Sequence, residues 1–253
     1  MRSLFVVALP RSLSSVAYHA SRLALGLAEP VWTSDGEILN NDRSVLYGGP
    51  THDAGSKYVH SAAPAFQRVT AFLDQVACRE GFAYKDVVQP FVAAAWLPAS
   101  GLRVLRIHRR LADVAFSMLQ MQWLYPALAA APHGKDEEDE PHSLETAVIR
   151  GLLAAEAALQ ALPGEVVDFE DLIADESVLI GSLQRLYPDA RVRGVRFIDE
   201  SFECHRGAVL ARRNEDEYQR IERSISLQQH RLEAPPACAA QPDLSPVARG
   251  ERE

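Results

Sequence analysis

Residues 4–15 read LFVVALPRSLSS, and this stretch decides the fold. Leu4 to Leu9 is a short, Val-rich, unbroken apolar run, which suits a strand buried on both faces of a parallel sheet. Pro10 to Ser15 make a polar loop, and VAYHASRLALGL (residues 16–27) then sets Val16, Leu23 and Leu27 at helical spacing. Strand, loop and helix are predicted in that order. Such a turn aims the free N–H groups of the first helical turn, with the positive end of the helix dipole, at the space above the strand end. An anion fits there. Arg11 offers a bidentate guanidinium, and the hydroxyls of Ser12, Ser14 and Ser15 can donate to phosphate or sulfate oxygens. A serine-capped helix after a buried strand explains this segment alone equally well. The Gly-x-x-x-x-Gly-Lys-Ser/Thr loop is absent, so a phosphotransferase dependent on ATP and magnesium is the least supported reading.

About a hundred residues downstream, RVLRIHRRLADVAFSMLQMQWL (residues 103–124) repeats the pattern. Arg103 to His108 reads as a strand and Leu111 to Leu124 as the helix after it, with Arg109 at the junction. Asp113 follows Arg109 by four residues and Ser117 follows it by eight. An arginine at a strand end and a serine about two helical turns later can converge on one phosphate.

In this order the two segments resemble the PAPS-dependent sulfotransferase family, PAPS being 3′-phosphoadenosine 5′-phosphosulfate. PRSLSS matches that family's Pro-Lys/Arg-Ser/Thr-Gly-Thr/Ser-Thr loop except at Leu13, and Arg109, Asp113 and Ser117 reproduce its second signature. The resemblance implies that Arg11, Ser12, Leu13, Ser14 and Ser15 hold the 5′-phosphosulfate and that Arg109 and Ser117 hold the 3′-phosphate. A third match is VVDFEDLIADESVLIGSLQRLYP (residues 166–188), where Phe169, Glu170, Asp171 and Leu172 fill the family's Tyr/Phe-Glu-Asp-Leu positions. Their implied role is architectural, with acids at a helix start.

Further residues follow from the resemblance. Lys85 in YKDVVQP opens what reads as a strand and would reach the leaving phosphate, though a solvent-exposed lysine before a strand fits equally well. Arg206 and Gly207 in CHRGAVLARRN stand where the family carries an Arg-Lys-Gly element over the 3′-phosphate. The general base is expected at Glu29, eighteen residues after Arg11, with His52 and His60 as runners-up. The reaction implied is in-line transfer of the sulfuryl group to a hydroxyl or amine of a small-molecule or carbohydrate acceptor, without a metal. Two departures stand out. Leu13 replaces a small glycine, at a cost of ~1–2 kcal/mol if that position is left-handed, and Leu111 replaces a common proline. Leu13 favours the alternative class, a catalytically weak nucleotide-binding or partner-binding module.

Composition agrees with one domain. The chain has 253 residues, 47% hydrophobic and 24% charged, enough for a single sizeable core over residues 1–232. Short Val-rich runs (4–9, 86–89, 103–108, 165–169) alternate with longer helical patterns, among them a helix from Ser143 to Leu162. That alternation predicts an α/β, P-loop-like three-layer fold whose central, mostly parallel sheet is flanked by helices. Residues 233–253 read as a disordered tail. The net charge of −8 argues against nucleic acid as a partner, and the acidic run 135–140 reads as a solvated loop. No apolar stretch reaches the ~20 residues of a membrane helix. Three widely spaced cysteines without a CxxC indicate neither a zinc site nor a disulfide framework, so a cytoplasmic location is expected. A homodimer is compatible with the sequence. Acceptor specificity is assigned to residues 30–62 and 125–145, where Trp32, Tyr47, Tyr58, Tyr125 and the neighbouring Trp123 could line a pocket.

Overall fold

The computed structural model describes residues 2–39, 58–77, 79–124, 126–127 and 144–233. The strand β1 (Leu4–Ala8) is buried at every position, which explains its unbroken apolar run. It leads through the loop into α1 (Ser14–Leu25). After α2 (Pro64–Val76) come β2 (Ala83–Asp86), α3 (Pro90–Ser100), β3 (Arg103–His108) and α4 (Leu111–Gln120). The chain continues through α5 (Leu144–Gln160), β4 (Glu165–Asp168), α6 (Phe169–Ala174), α7 (Ser177–Leu186), α8 (Glu200–Arg212) and α9 (Asp216–Glu233).

The four strands form one all-parallel sheet in the order β2-β1-β3-β4. Alternate residues of β1 feed two separate cores. Phe5 and Val7 pack with residues of α2 to α5 and α9, whereas Leu4, Val6 and Ala8 pack with α1 and α7. The three-layer α/β expectation therefore holds. Strand order reverses beside β1, because the chain first adds β2 on one side and then crosses over to β3 on the other. The loops after β1 and β3 consequently diverge to opposite faces and open a crevice at the carboxyl ends of the two strands.

Two expected boundaries shift. The run 86–89 is not a strand, and Lys85 does not open one. β2 covers Ala83–Asp86, with Lys85 inside it opposite Val6. The chain turns at Asp86, whose Oδ2 accepts from the Gln89 backbone N–H at 2.8 Å, and Pro90 then starts α3. Val87 and Val88 fall in that turn. The helix expected to reach Leu124 ends at Gln120, since Gln122 takes a left-handed φ of 56° and carries Trp123 out of the helical path. Of the tail expected over residues 233–253, Glu233 instead ends α9 and residues 234–253 lie outside the described residues, as do Tyr47 and Tyr125. Among the described residues no helix is long and apolar enough to cross a membrane.

Candidate functional site

The loop after β1 contains no glycine, yet two of its residues are left-handed: Arg11 at φ 65° and Leu13 at φ 54°, ψ 27°. Leu13 thus occupies the conformation for which the missing glycine would be suited, at a cost of about 1–2 kcal/mol. It stands at the N-cap of α1, where no side chain caps the helix. The first-turn N–H groups are left facing the crevice. Ser12 Oγ is fully buried and has no hydrogen-bond partner among the described residues. An unsatisfied buried hydroxyl costs about 1–3 kcal/mol, so a ligand oxygen in its reach would be stabilising.

Arg109 arrives from the end of β3 and is also buried, at 8% exposure. Its Nη1 donates to the Arg11 carbonyl, and its guanidinium carbon lies 4.2 Å from the centre of the Phe169 ring. Burial pushes its pKa down, while Asp113 and Glu170 push it up. From α4, Ser117 Oγ accepts from Arg11 Nε at 3.0 Å. The two sequence segments therefore meet. They line one cavity of about 280 Å³ together with Trp123, Arg212 and Glu37. Arg11 also faces Trp123, its guanidinium carbon 5.4 Å from the ring centre.

Asp113 has a different task from its neighbours. Its side chain is buried and receives both Arg213 Nε, at 3.2 Å, and Arg213 Nη2, while Arg213 Nη2 also reaches Glu170 Oε1 at 2.6 Å. The Asp113 bond is the main reason the Arg213 pKa is raised. This cluster ties the end of α8 to α4 and α6. Arg212, next in sequence, is thereby delivered to the cavity. Glu170 of the FEDL segment is thus a clamp residue, in line with the architectural role expected for it.

No protein-family model matches the chain, and no curated protein matches it significantly.

The remaining expected residues separate. Lys85 is fully buried with Nζ 2.6 Å from Ser15 Oγ and 3.0 Å from Glu37 Oε1, so it stands behind the cavity wall rather than in it. It is no solvent-exposed lysine. Glu29 does not line the cavity: its Oε1 accepts from the Gly36 backbone N–H at 3.1 Å and its Oε2 lies 3.8 Å from Arg22 Nε. Its carboxylate fastens the turn that presents Glu37. His60 stacks on Phe91 with ring centres 4.3 Å apart, away from the cavity lining. His52 lies outside the described residues. Arg206 lines a separate cavity of about 100 Å³ beside Phe169 and Glu170, and Gly207 is an exposed position of α8.

Glu37 and Arg212 were not read from the sequence as site residues. Glu37 follows the Asp35-Gly36 dipeptide, a turn signal that marks a chain reversal but not its destination. Gly36 has φ 69°, and a Cβ there would lie 2.2 Å from the Tyr18 ring, so the turn packs closely against α1. Residues 36–38 then run along the free edge of β2, with the Lys85 N–H donating to the Gly36 carbonyl at 2.8 Å. Arg212 is marked in the sequence only as one of six arginines between 191 and 213 able to neutralise a doubly phosphorylated donor, with nothing to single it out from the others. With three arginines and one carboxylate among the described residues of its wall, and the buried Ser12 hydroxyl beside them, the cavity suits a polyanion.

Proposed function

We propose that this protein transfers the sulfuryl group of PAPS to a hydroxyl or amine acceptor. One observation carries the reading: Arg11 of the β1 loop and Ser117 of α4 are bonded at 3.0 Å in one cavity, with Arg109 braced against the same loop. A donor with phosphates at both ends needs two such anchors, and the family resemblance assigns them to the same residues. The loop amides, Ser12 Oγ and Arg11 would stabilise the charge that spreads over the transferring group, while Arg109, Ser117 and Arg212 would hold the 3′-phosphate. In the transfer, the acceptor oxygen or nitrogen bonds to sulfur as the bond from sulfur to the 5′-phosphate oxygen breaks in line. The electron pair leaves on adenosine 3′,5′-bisphosphate (PAP). The reading takes the cytoplasm as its compartment, supported by the wide spacing of three cysteines.

Isothermal titration with PAP tests it. The intact chain should bind PAP, and Arg109→Ala should weaken binding at least ~10-fold, since a charge-assisted bidentate contact is lost. Absence of binding, or equal binding by the variant, would overturn the proposal. A second reading, nucleotide binding without turnover, is favoured by the left-handed Leu13. PAP binding without sulfate transfer to a broad acceptor panel would select it.

A further inference from the structure

Ser15, Lys85 and Glu37 form a polar triad to which the donor reading gives no task as a unit. The Lys85 ammonium is buried, with Ser15 Oγ and Glu37 Oε1 at 2.6 and 3.0 Å. Ser15 and Glu37 line the cavity and Lys85 does not, so the ammonium acts on the cavity through those two oxygens. Glu37 is the one acidic side chain among the described lining residues. Its place is set by backbone pairing on both sides: the Lys85 N–H donates to Gly36 O at 2.8 Å and the Ile38 N–H donates to Lys85 O at 3.3 Å. Glu29 fixes the same turn from behind through the Gly36 N–H.

The Lys85 ammonium holds the Glu37 carboxylate in place, and an anion brought near that ammonium competes for it. The donor would bring such an anion to the loop that holds Ser15, the other partner of Lys85. We infer that Glu37 receives the proton of the attacking acceptor, and that Lys85 is a positioning residue that holds the Glu37 carboxylate until an anion bound at Ser15 competes for the ammonium the two share. This rests on the sulfuryl-transfer reading and adds to it an order of events, donor before proton transfer. The acceptor oxygen bonds to sulfur and the sulfur–oxygen bond to the 5′-phosphate breaks with its electron pair on the phosphate. The acceptor proton passes to Glu37 and from there to solvent.

The test uses PAP titration and PAPS hydrolysis, with water as the acceptor probe, on wild type, Glu37→Gln and Lys85→Met. Glu37→Gln unmasks Lys85 and removes the base together. PAP should bind about three- to tenfold tighter, while hydrolysis falls by ~10²–10⁴-fold. Lys85→Met should weaken PAP binding about three- to tenfold, because the ammonium acts on the loop only through Ser15 Oγ, and unchanged binding would overturn the positioning role. A purely structural role for Glu37 would move binding and turnover in the same direction. Weaker or unchanged PAP binding in Glu37→Gln, or hydrolysis within about twofold of wild type, overturns the inference while leaving the donor reading intact. Failure of wild type to bind PAP overturns the donor reading itself. Should Glu37→Gln lose its thermal transition, Glu37→Asp replaces it, since one methylene less withdraws the carboxylate from Lys85; the same two arms then decide. Where wild-type hydrolysis falls below detection, the binding arm stands alone.

Discussion

Arg11 Nε donates to Ser117 Oγ across 3.0 Å, joining residues 106 positions apart. Both are anchors expected to meet ligand phosphates. They satisfy one another, and the proposed donor would exchange this bond for stronger charge-assisted ones. Ser117→Ala is expected to weaken PAP binding by ~10-fold and to leave the melting temperature within about 2 °C of wild type, since only an exposed bond is lost. Titration and calorimetry check both numbers.

The same arginine offers a test of ligand binding. Its guanidinium stands over the partly exposed Trp123 ring, and a bound phosphate would pull it away. PAP should therefore change tryptophan emission, and Trp123→Phe should abolish that change while Trp32 and Trp96 remain. An equal change in the variant would assign the signal elsewhere.

Leu13→Gly tests the strained loop. A left-handed leucine costs about 1–2 kcal/mol, and glycine's greater freedom in the unfolded chain returns part of that gain. The net expectation is a rise of roughly 0.5–1 kcal/mol, or about 1–4 °C in melting temperature for a chain of this size. A fall would mean that the Leu13 side chain contributes more by packing than its backbone costs.

Arg213→Ala should be more severe than either loop variant. It strands the buried Asp113 carboxylate and removes the link from α8 to Glu170. Breaking a buried pair from one side costs about 3–5 kcal/mol, and the partial exposure of Arg213 favours the lower end. The double variant Asp113→Asn with Arg213→Ala should recover part of that loss in chemical denaturation. PAP binding should not recover, because Arg212 loses its anchorage with its neighbour.

The sequence carried the first strand, loop and helix well because a strand covered on both faces favours an unbroken apolar run, a mark that β2, with Lys85 and Asp86 buried in it, does not carry. Arg109 and Ser117 were legible for a related reason: a serine about two helical turns beyond an arginine at a strand end can converge with it on one site. Leu13 was legible as a departure, since a left-handed backbone leaves a mark on residue choice. β2 was misplaced because Val87 and Val88 have strand character while Asp86 and Pro90 already bend the chain. Glu37 was out of reach and Arg212 was legible only as one of a cluster of arginines, as the first is placed by pairing along the β2 edge and the second by a helix clamped through its neighbour. Such contacts are tertiary, and no local spacing encodes them.

Asp86 sets the pH response. Full burial at the end of β2 pushes its carboxyl up to about 7, against the opposing backbone N–H bonds of Gln89 and Val88. Lys85 lowers it less than burial raises it, and Glu37 adds to the rise. The unfolded chain loses this proton near 4, so between about pH 4 and pH 7 the folded state binds the extra proton and stability falls as pH rises. Above about pH 7 the contribution levels off at its least favourable value. Asp86→Asn keeps an oxygen for the Gln89 N–H and removes the titration. It should flatten the stability profile over that window and stabilise the protein at pH 8 by an amount on the order of 4 kcal/mol. Urea unfolding of both proteins from pH 4.5 to pH 8.5 measures it, and parallel profiles would mean that Asp86 does not carry the proton.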